Sequence, residues 1–158
     1  MATLPQELAH SKQLVLLNNI DKPQMEEIVQ AYETHGREMS GYVVLDIRQE
    51  DEIQRTGPLS PHSITFPWKK ILQYQAFELS AAKFMDTFAF PKPTLEETLI
   101  FSCAAGGRSL QAAKLAEQSG YRKLKNYMGG SNEWFDTRPP SKSWLEELFR
   151  ASPVLGSY

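Results

Sequence analysis

The sequence holds a single cysteine, Cys103, among its 158 residues. One cysteine cannot close an intramolecular disulfide, and a lone thiol suits a reducing compartment. The three histidines, His10, His35 and His62, are scattered, and no Cys/His cluster has the spacing of a zinc site. Positive charge is not in excess: 17 Lys and Arg stand against 19 Asp and Glu, a formal net charge of −2. That balance leaves no electrostatic footprint for nucleic acid or an anionic membrane surface. Apolar runs are only a few residues long, too short for a transmembrane helix. Residues 1–13 lack the apolar core of a secretory signal, and Glu7 without any arginine argues against a transit peptide, so a cytoplasmic protein is expected.

What remains is ordinary in composition: 41% hydrophobic residues in a length that fits one domain. The chain carries no internal repeat. Leu14–Leu17 reads as a first strand ending at Asn18-Asn19. Asp21-Lys22-Pro23 opens a helix, with Glu26 and Glu27 favouring its positive end. Met25, Ile28, Val29 and Tyr32 form its apolar face, and Gly36 is the expected stop. Tyr42–Ile47 and Thr98–Ser102 are apolar enough for strands buried on both faces. Glu50–Arg55 reads as a short helix, Gly57–Pro61 as a loop and Ile64–Phe66 as a brief strand. Phe77–Phe88 and Ser109–Ser119 are helical in pattern, Leu124–Tyr127 is a last short strand, and a short helix follows through Trp134. Alternating strands and helices predict an α/β fold with a mostly parallel central sheet and helices on both faces. The expected organisation is an extension over 1–13, a domain over 14–136, and a tail over 137–158 whose Ser143–Arg150 segment begins with a capping box and docks as a helix.

Cys103 sits where this pattern puts chemistry. A buried strand ends at Ser102, and Ala104-Ala105-Gly106-Gly107-Arg108 leads into the helix that contains Ser109. Sites in open α/β sheets lie where strand C-termini meet helix N-termini. A helix start presents unpaired N–H groups and about half a positive charge. Small residues over 104–107 let the loop curl so that its amides converge as an anion-binding nest. A cysteine at its mouth gains stabilisation of the thiolate, and Arg108 adds a full positive charge in the same turn. The alternative is a buried core cysteine packing as a small hydrophobe.

Cys103–Arg108 has the Cys-x-x-Gly-x-Arg form of the active loops of rhodanese sulfurtransferases. Tyr42–Arg48 resembles the early Leu-Asp-x-Arg segment of that family, and Tyr127–Trp134 resembles its closing Gly-Gly-x-x-x-Trp segment. The three fall in the right order and span most of the chain. The resemblance implies that Cys103 takes the sulfane sulfur of a donor such as thiosulfate and passes it, as a persulfide, to cyanide or to a thiol such as glutathione. The amides of Ala104, Ala105, Gly106, Gly107 and Arg108, with Ser109 beside them, would cradle the outer sulfur. No cofactor and no metal are implied, and a protein sulfur acceptor is an alternative partner. The stretch Gly57–Ile64 departs from the family's Gly-His-Ile-Pro-Gly-Ala, with His62 displaced.

Asp46 and Arg48 are expected to brace neighbouring loops rather than to touch substrate, His62 to be a loop residue rather than a base, and Glu133 and Trp134 to start and anchor the last helix. Anionic donors would be met mainly by Arg108 and backbone amides. Two other functions compete. Phosphatases and arsenate reductases of the same architecture use a Cys-x5-Arg loop, whereas four residues separate Cys103 from Arg108 here. The shorter loop suits one sulfur atom better than a tetrahedral oxyanion. A non-enzymatic sulfur-relay or binding module is the other reading.

Overall fold

The strands that read as apolar on both faces form the middle of one parallel sheet. In the computed structural model, which describes residues 17–136, five strands lie in the order β1-β5-β4-β2-β3. They are β1 (Leu17–Ile20), β2 (Tyr42–Asp46), β3 (Ile64–Thr65), β4 (Thr98–Ser102) and β5 (Leu124–Tyr127), and every pairing is parallel. Alternation along the central strands divides the core in two. Val43, Leu45, Leu99 and Phe101 face one cluster, and Val44 and Ile100 face the other.

The first cluster is covered by α3 (Trp68–Tyr74), a 3-10 turn (Ala76–Glu78), α4 (Ala81–Phe88) and α5 (Gly107–Gln118). Phe66 is its hub, with its ring centroid 4.9 to 5.8 Å from those of Phe77, Phe84, Phe88 and Phe90. The second cluster lies under α1 (Lys22–Ser40) and beside α6 (Gly130–Trp134), and Met25, Ile28, Val29 and Tyr32 form the buried stripe of α1. The expected α/β architecture, with helices on both faces, is the one observed. The remaining helix, α2 (Glu50–Thr56), buries no residue completely.

Several boundaries differ from expectation. The first strand runs over Leu17–Ile20, so Asn18 and Asn19 lie inside it, paired with Lys125 and Asn126 of β5. Residues 14–16 of the expected strand, the 1–13 extension and the 137–158 tail with its Ser143–Arg150 helix fall outside the described residues. The helical path of α1 breaks at Gly36, where a stop was expected, and resumes beyond it. The break lies at φ 75° and ψ 177°, and the helix ends at Gly41 in the left-handed region, whose N–H bonds the Arg37 carbonyl. At its other end Asp21 and Gln24 form a reciprocal capping box, and Glu26 and Glu27 lie beyond the first turn. The single helix expected over Phe77–Phe88 is a 3-10 turn and a separate α4 capped by Ser80. Helix α3, not foreseen, has Ile71 as its one buried residue. Among the described residues no helix is long and apolar enough to cross a membrane.

Candidate active site

Strand β4 is the middle strand of the five, and its C-terminal end delivers Cys103 to the edge of the core, 1% exposed. The strand end is held on one side by the Ile47 N–H, which donates to the Ser102 carbonyl at 2.7 Å. Beyond it the chain turns through Ala104, half-buried, and Ala105, exposed, to Gly106 at φ 88°. Gly106 is required there twice over. Its φ is one that residues with a Cβ avoid, and a Cβ at this position would lie 2.6 Å from the Met128 carbonyl oxygen. Helix α5 then begins at Gly107.

Two contacts converge on the sulfur. The Gly106 N–H donates to Cys103 Sγ at 3.1 Å, and Ser109 Oγ lies 3.3 Å from it. The carbonyls of the loop are drawn the other way. Those of Cys103 and Ala104 accept from the Ser131 and Asn132 N–H groups of α6 at 2.7 and 3.0 Å. This explains the segment after β5: it supplies donors that hold the loop carbonyls away from the thiol. Gly130, at φ 60°, lies so close that a Cβ would meet the carbonyl oxygens of both Cys103 and Ala104.

Arg108 does not point its charge into the loop alone. Its guanidinium makes a two-pronged ion pair with Glu52 of α2, Nη1 to Oε2 at 2.8 Å and Nη2 to Oε1 at 2.7 Å. Those hydrogen bonds, set against the opposing effect of burial and helped by the Gln49 N–H, hold the Glu52 carboxyl at about 2. The Glu52 bonds in turn raise the Arg108 pKa, with a weaker attraction from Cys103. The charge expected to greet an anionic donor is therefore largely balanced by a residue that the sequence reading did not single out.

Asp46 and Arg48, each 1% exposed, form a buried ion pair. Arg48 donates to both Asp46 carboxylate oxygens, at 2.7 Å for Nη2, and to Thr56 Oγ1 and the Gly57 carbonyl, which ties the end of β2 to the loop after α2. The Phe135 ring covers the guanidinium at 5.9 Å. His62 lies in the loop before β3 and accepts the Tyr32 hydroxyl through its carbonyl at 2.8 Å. Trp134 anchors as foreseen, edge-on to Tyr127 at 6.1 Å. Glu133, in the first turn of α6, accepts the Tyr127 hydroxyl at 2.8 Å. One further site residue, Asn126, was not marked by the sequence. Asn126 Oδ1 accepts from Ser109 Oγ at 2.6 Å, and Asn126 Nδ2 donates to Asn19 Oδ1 at 3.0 Å. Among the described residues no group of three or more His, Cys, Asp or Glu could hold a metal ion.

Comparison with known proteins agrees with this geometry. The family model for the rhodanese-like domain matches residues 26–137. A rhodanese domain-containing protein of Drosophila melanogaster is 34% identical over 91 residues, 58% of this chain and 79% of that protein. The thiosulfate:glutathione sulfurtransferase of Homo sapiens is 33% identical over 94 residues, 59% of this chain and 78% of the relative. The solved structure of a human single-domain sulfurtransferase superposes with a TM-score of 0.60 at 26% identity, over 76% of this chain and 97% of the other. A parallel sheet that ends in Cys103, a loop of the family's form and a match through most of the chain lead to one assignment: the chain belongs to the rhodanese-like domain family, among relatives named as sulfurtransferases.

Proposed function

We propose that the protein is a thiosulfate sulfurtransferase that carries sulfur as a persulfide on Cys103. The observation that carries this reading is the Gly106 N–H donated to Sγ at 3.1 Å at the start of α5. A backbone donor fixed at a helix N-terminus stabilises negative charge on sulfur without reorganising during the reaction. In the first half-reaction the Cys103 thiolate attacks the sulfane sulfur of thiosulfate. A new S–S bond forms, the bond to the sulfonate sulfur breaks, and its electron pair leaves on sulfite. In the second, a thiolate or cyanide attacks the outer sulfur, and the electron pair of the broken S–S bond returns to Sγ. With no second cysteine in the chain, the acceptor comes from outside. Glutathione fits the relative named thiosulfate:glutathione sulfurtransferase, and Ala104 and Ala105 add neither bulk nor charge to the loop.

The phosphatase reading needs an arginine free to grip a tetrahedral oxyanion, and the Glu52 pairing of Arg108 supports sulfur transfer over it. The test is intact mass after incubation with thiosulfate. A gain of about 32 Da, one persulfide sulfur, reversed by cyanide and absent in Cys103→Ser, is the expected result. No adduct with any sulfane donor, together with hydrolysis of an aryl phosphate, would overturn the proposal.

A further inference from the structure

Seen from the sulfur, Asn126 stands behind Ser109. Register places it on β5 opposite Phe101 of β4 and beside Asn19 of β1. Asn126 and Ser109 are both buried, so their polar atoms must find partners within the protein. The Gly106 carbonyl can only accept, so the Asn126 group facing it at 3.3 Å is Nδ2. The same Nδ2 donates to Asn19 Oδ1. This fixes the amide, with Oδ1 turned to Ser109 Oγ at 2.6 Å. Because Oδ1 has no hydrogen, the single hydroxyl hydrogen of Ser109 lies on the Asn126 side. The side of Oγ facing Cys103 Sγ, 3.3 Å away, presents lone pairs.

We infer that Asn126 is a positioning residue for the sulfur chemistry, acting through Ser109 by keeping the hydroxyl hydrogen away from Sγ. The inference rests on the proposed role of Cys103 as sulfur carrier. A Cys103 thiol fits the arrangement, since its S–H donates to Oγ. A thiolate does not fit: Ser109 can turn its hydrogen to the sulfur only by leaving the buried Asn126 Oδ1 without a donor. Loading removes the conflict. When the thiolate takes the sulfane sulfur and sulfite departs with the electron pair, the negative charge of the protein moves from Sγ to the outer sulfur. Sγ becomes a neutral divalent sulfur, and the Ser109–Asn126 bond stands undisturbed. Asn126 therefore tilts the loading equilibrium toward the persulfide.

The experiment holds the protein at alkaline pH with a fixed ratio of thiosulfate to sulfite, and reads persulfide against free protein by intact mass. Asn126→Ala releases the Ser109 hydrogen to the thiolate and lowers the persulfide-to-free ratio roughly fivefold, the size of one net hydrogen bond. Asn126→Leu, closer in volume, gives the same fall and guards against a folding failure of the smaller side chain. In a Ser109→Ala background, Asn126→Ala leaves the ratio where Ser109→Ala alone puts it. An unchanged ratio in both single Asn126 variants, or a fall that persists without the Ser109 hydroxyl, overturns the inference while the carrier role stands. A wild-type protein that accepts no sulfur from any sulfane donor overturns the carrier role itself, and the inference with it.

Discussion

The Arg108 guanidinium, five residues after the cysteine, is bound to the Glu52 carboxylate through two hydrogen bonds of 2.7 and 2.8 Å. The pair clamps the first turn of α5 to α2 and leaves little net charge beside the loop. Its effect on an anionic donor is open to kinetic measurement. Glu52→Gln removes the balancing charge, so the thiosulfate KM should fall about threefold at low salt, with the difference closing as ionic strength rises and screens the half-buried guanidinium. Arg108→Ala should raise KM by only a few-fold, because the wild-type charge is already mostly paired. Steady-state rates across a salt series check both.

The same pair sets an acid limit. Glu52 titrates at about 2 in the folded protein against an ordinary 4.5, chiefly because of the Arg108 hydrogen bonds. A depressed carboxyl contributes stability that is fully present above its unfolded pKa and is lost as pH falls through the folded one. The contribution of Glu52 should thus be constant above about 4.5 and fade between there and about 2. Thermal midpoints of wild type and Glu52→Gln, measured down this range, should differ by a fixed amount at neutral pH and converge in acid. A gap that stays open at the acid end would sink the idea.

Asp46 and Arg48 should behave differently from any surface pair. Both are 1% exposed and bonded at 2.7 Å. Asp46→Asn leaves the buried guanidinium without its counter-charge, a change expected to cost about 3–5 kcal/mol. Asp51→Asn breaks a pair whose side chains are 71% and 77% exposed, Arg55 and Asp51 at 3.5 Å, and should cost at most about 0.5 kcal/mol. Urea unfolding of the two variants supplies the comparison.

Elements with strong local signals were legible in the sequence. The apolar runs of β2 and β4, the pattern of α5 and the loop of Cys103 all place themselves, because each is decided within a dozen residues. Where tertiary contacts decide, the sequence is silent. Asn18 and Asn19 look like the end of a strand, yet pairing with β5 carries β1 through them to Ile20. Gly36 does break the helical path, at φ 75° and ψ 177°, but the chain resumes a helix beyond it and runs on to Gly41. Helix α3 is only 7 residues long and buries Ile71 alone, so its apolar positions Trp68, Ile71 and Leu72 make too short a pattern to stand out. At the site, Cys103, Gly106 and Ser109 could be chosen from one motif. Glu52 and Asn126 could not, since their partners lie 56 and 17 residues away and nothing near them in the chain announces the meeting.

Gly130 connects the closing segment to the reacting loop, and it separates a positioning effect from a general loss of stability. At φ 60°, a Cβ on residue 130 would lie 2.5 Å from the Ala104 carbonyl oxygen and would also meet that of Cys103. Both are backbone atoms, so Gly130→Ala must push the loop off the Ser131 and Asn132 N–H groups that hold it. The left-handed backbone alone costs an alanine about 1 kcal/mol. Gly41 offers the matching control: φ is 72°, and a Cβ there would have nothing within 4 Å. Gly41→Ala should therefore lose about 1 kcal/mol of stability and load sulfur at the wild-type rate, since its strain stays at the end of α1. Gly130→Ala should lose more stability than Gly41→Ala and, under conditions where it remains folded, load at least about tenfold more slowly, the equivalent of 1.4 kcal/mol in the barrier. Circular dichroism melts and the rate of persulfide formation by intact mass separate the two variants. Equal loading by both would mean that the contact between α6 and the loop carbonyls does not position Cys103.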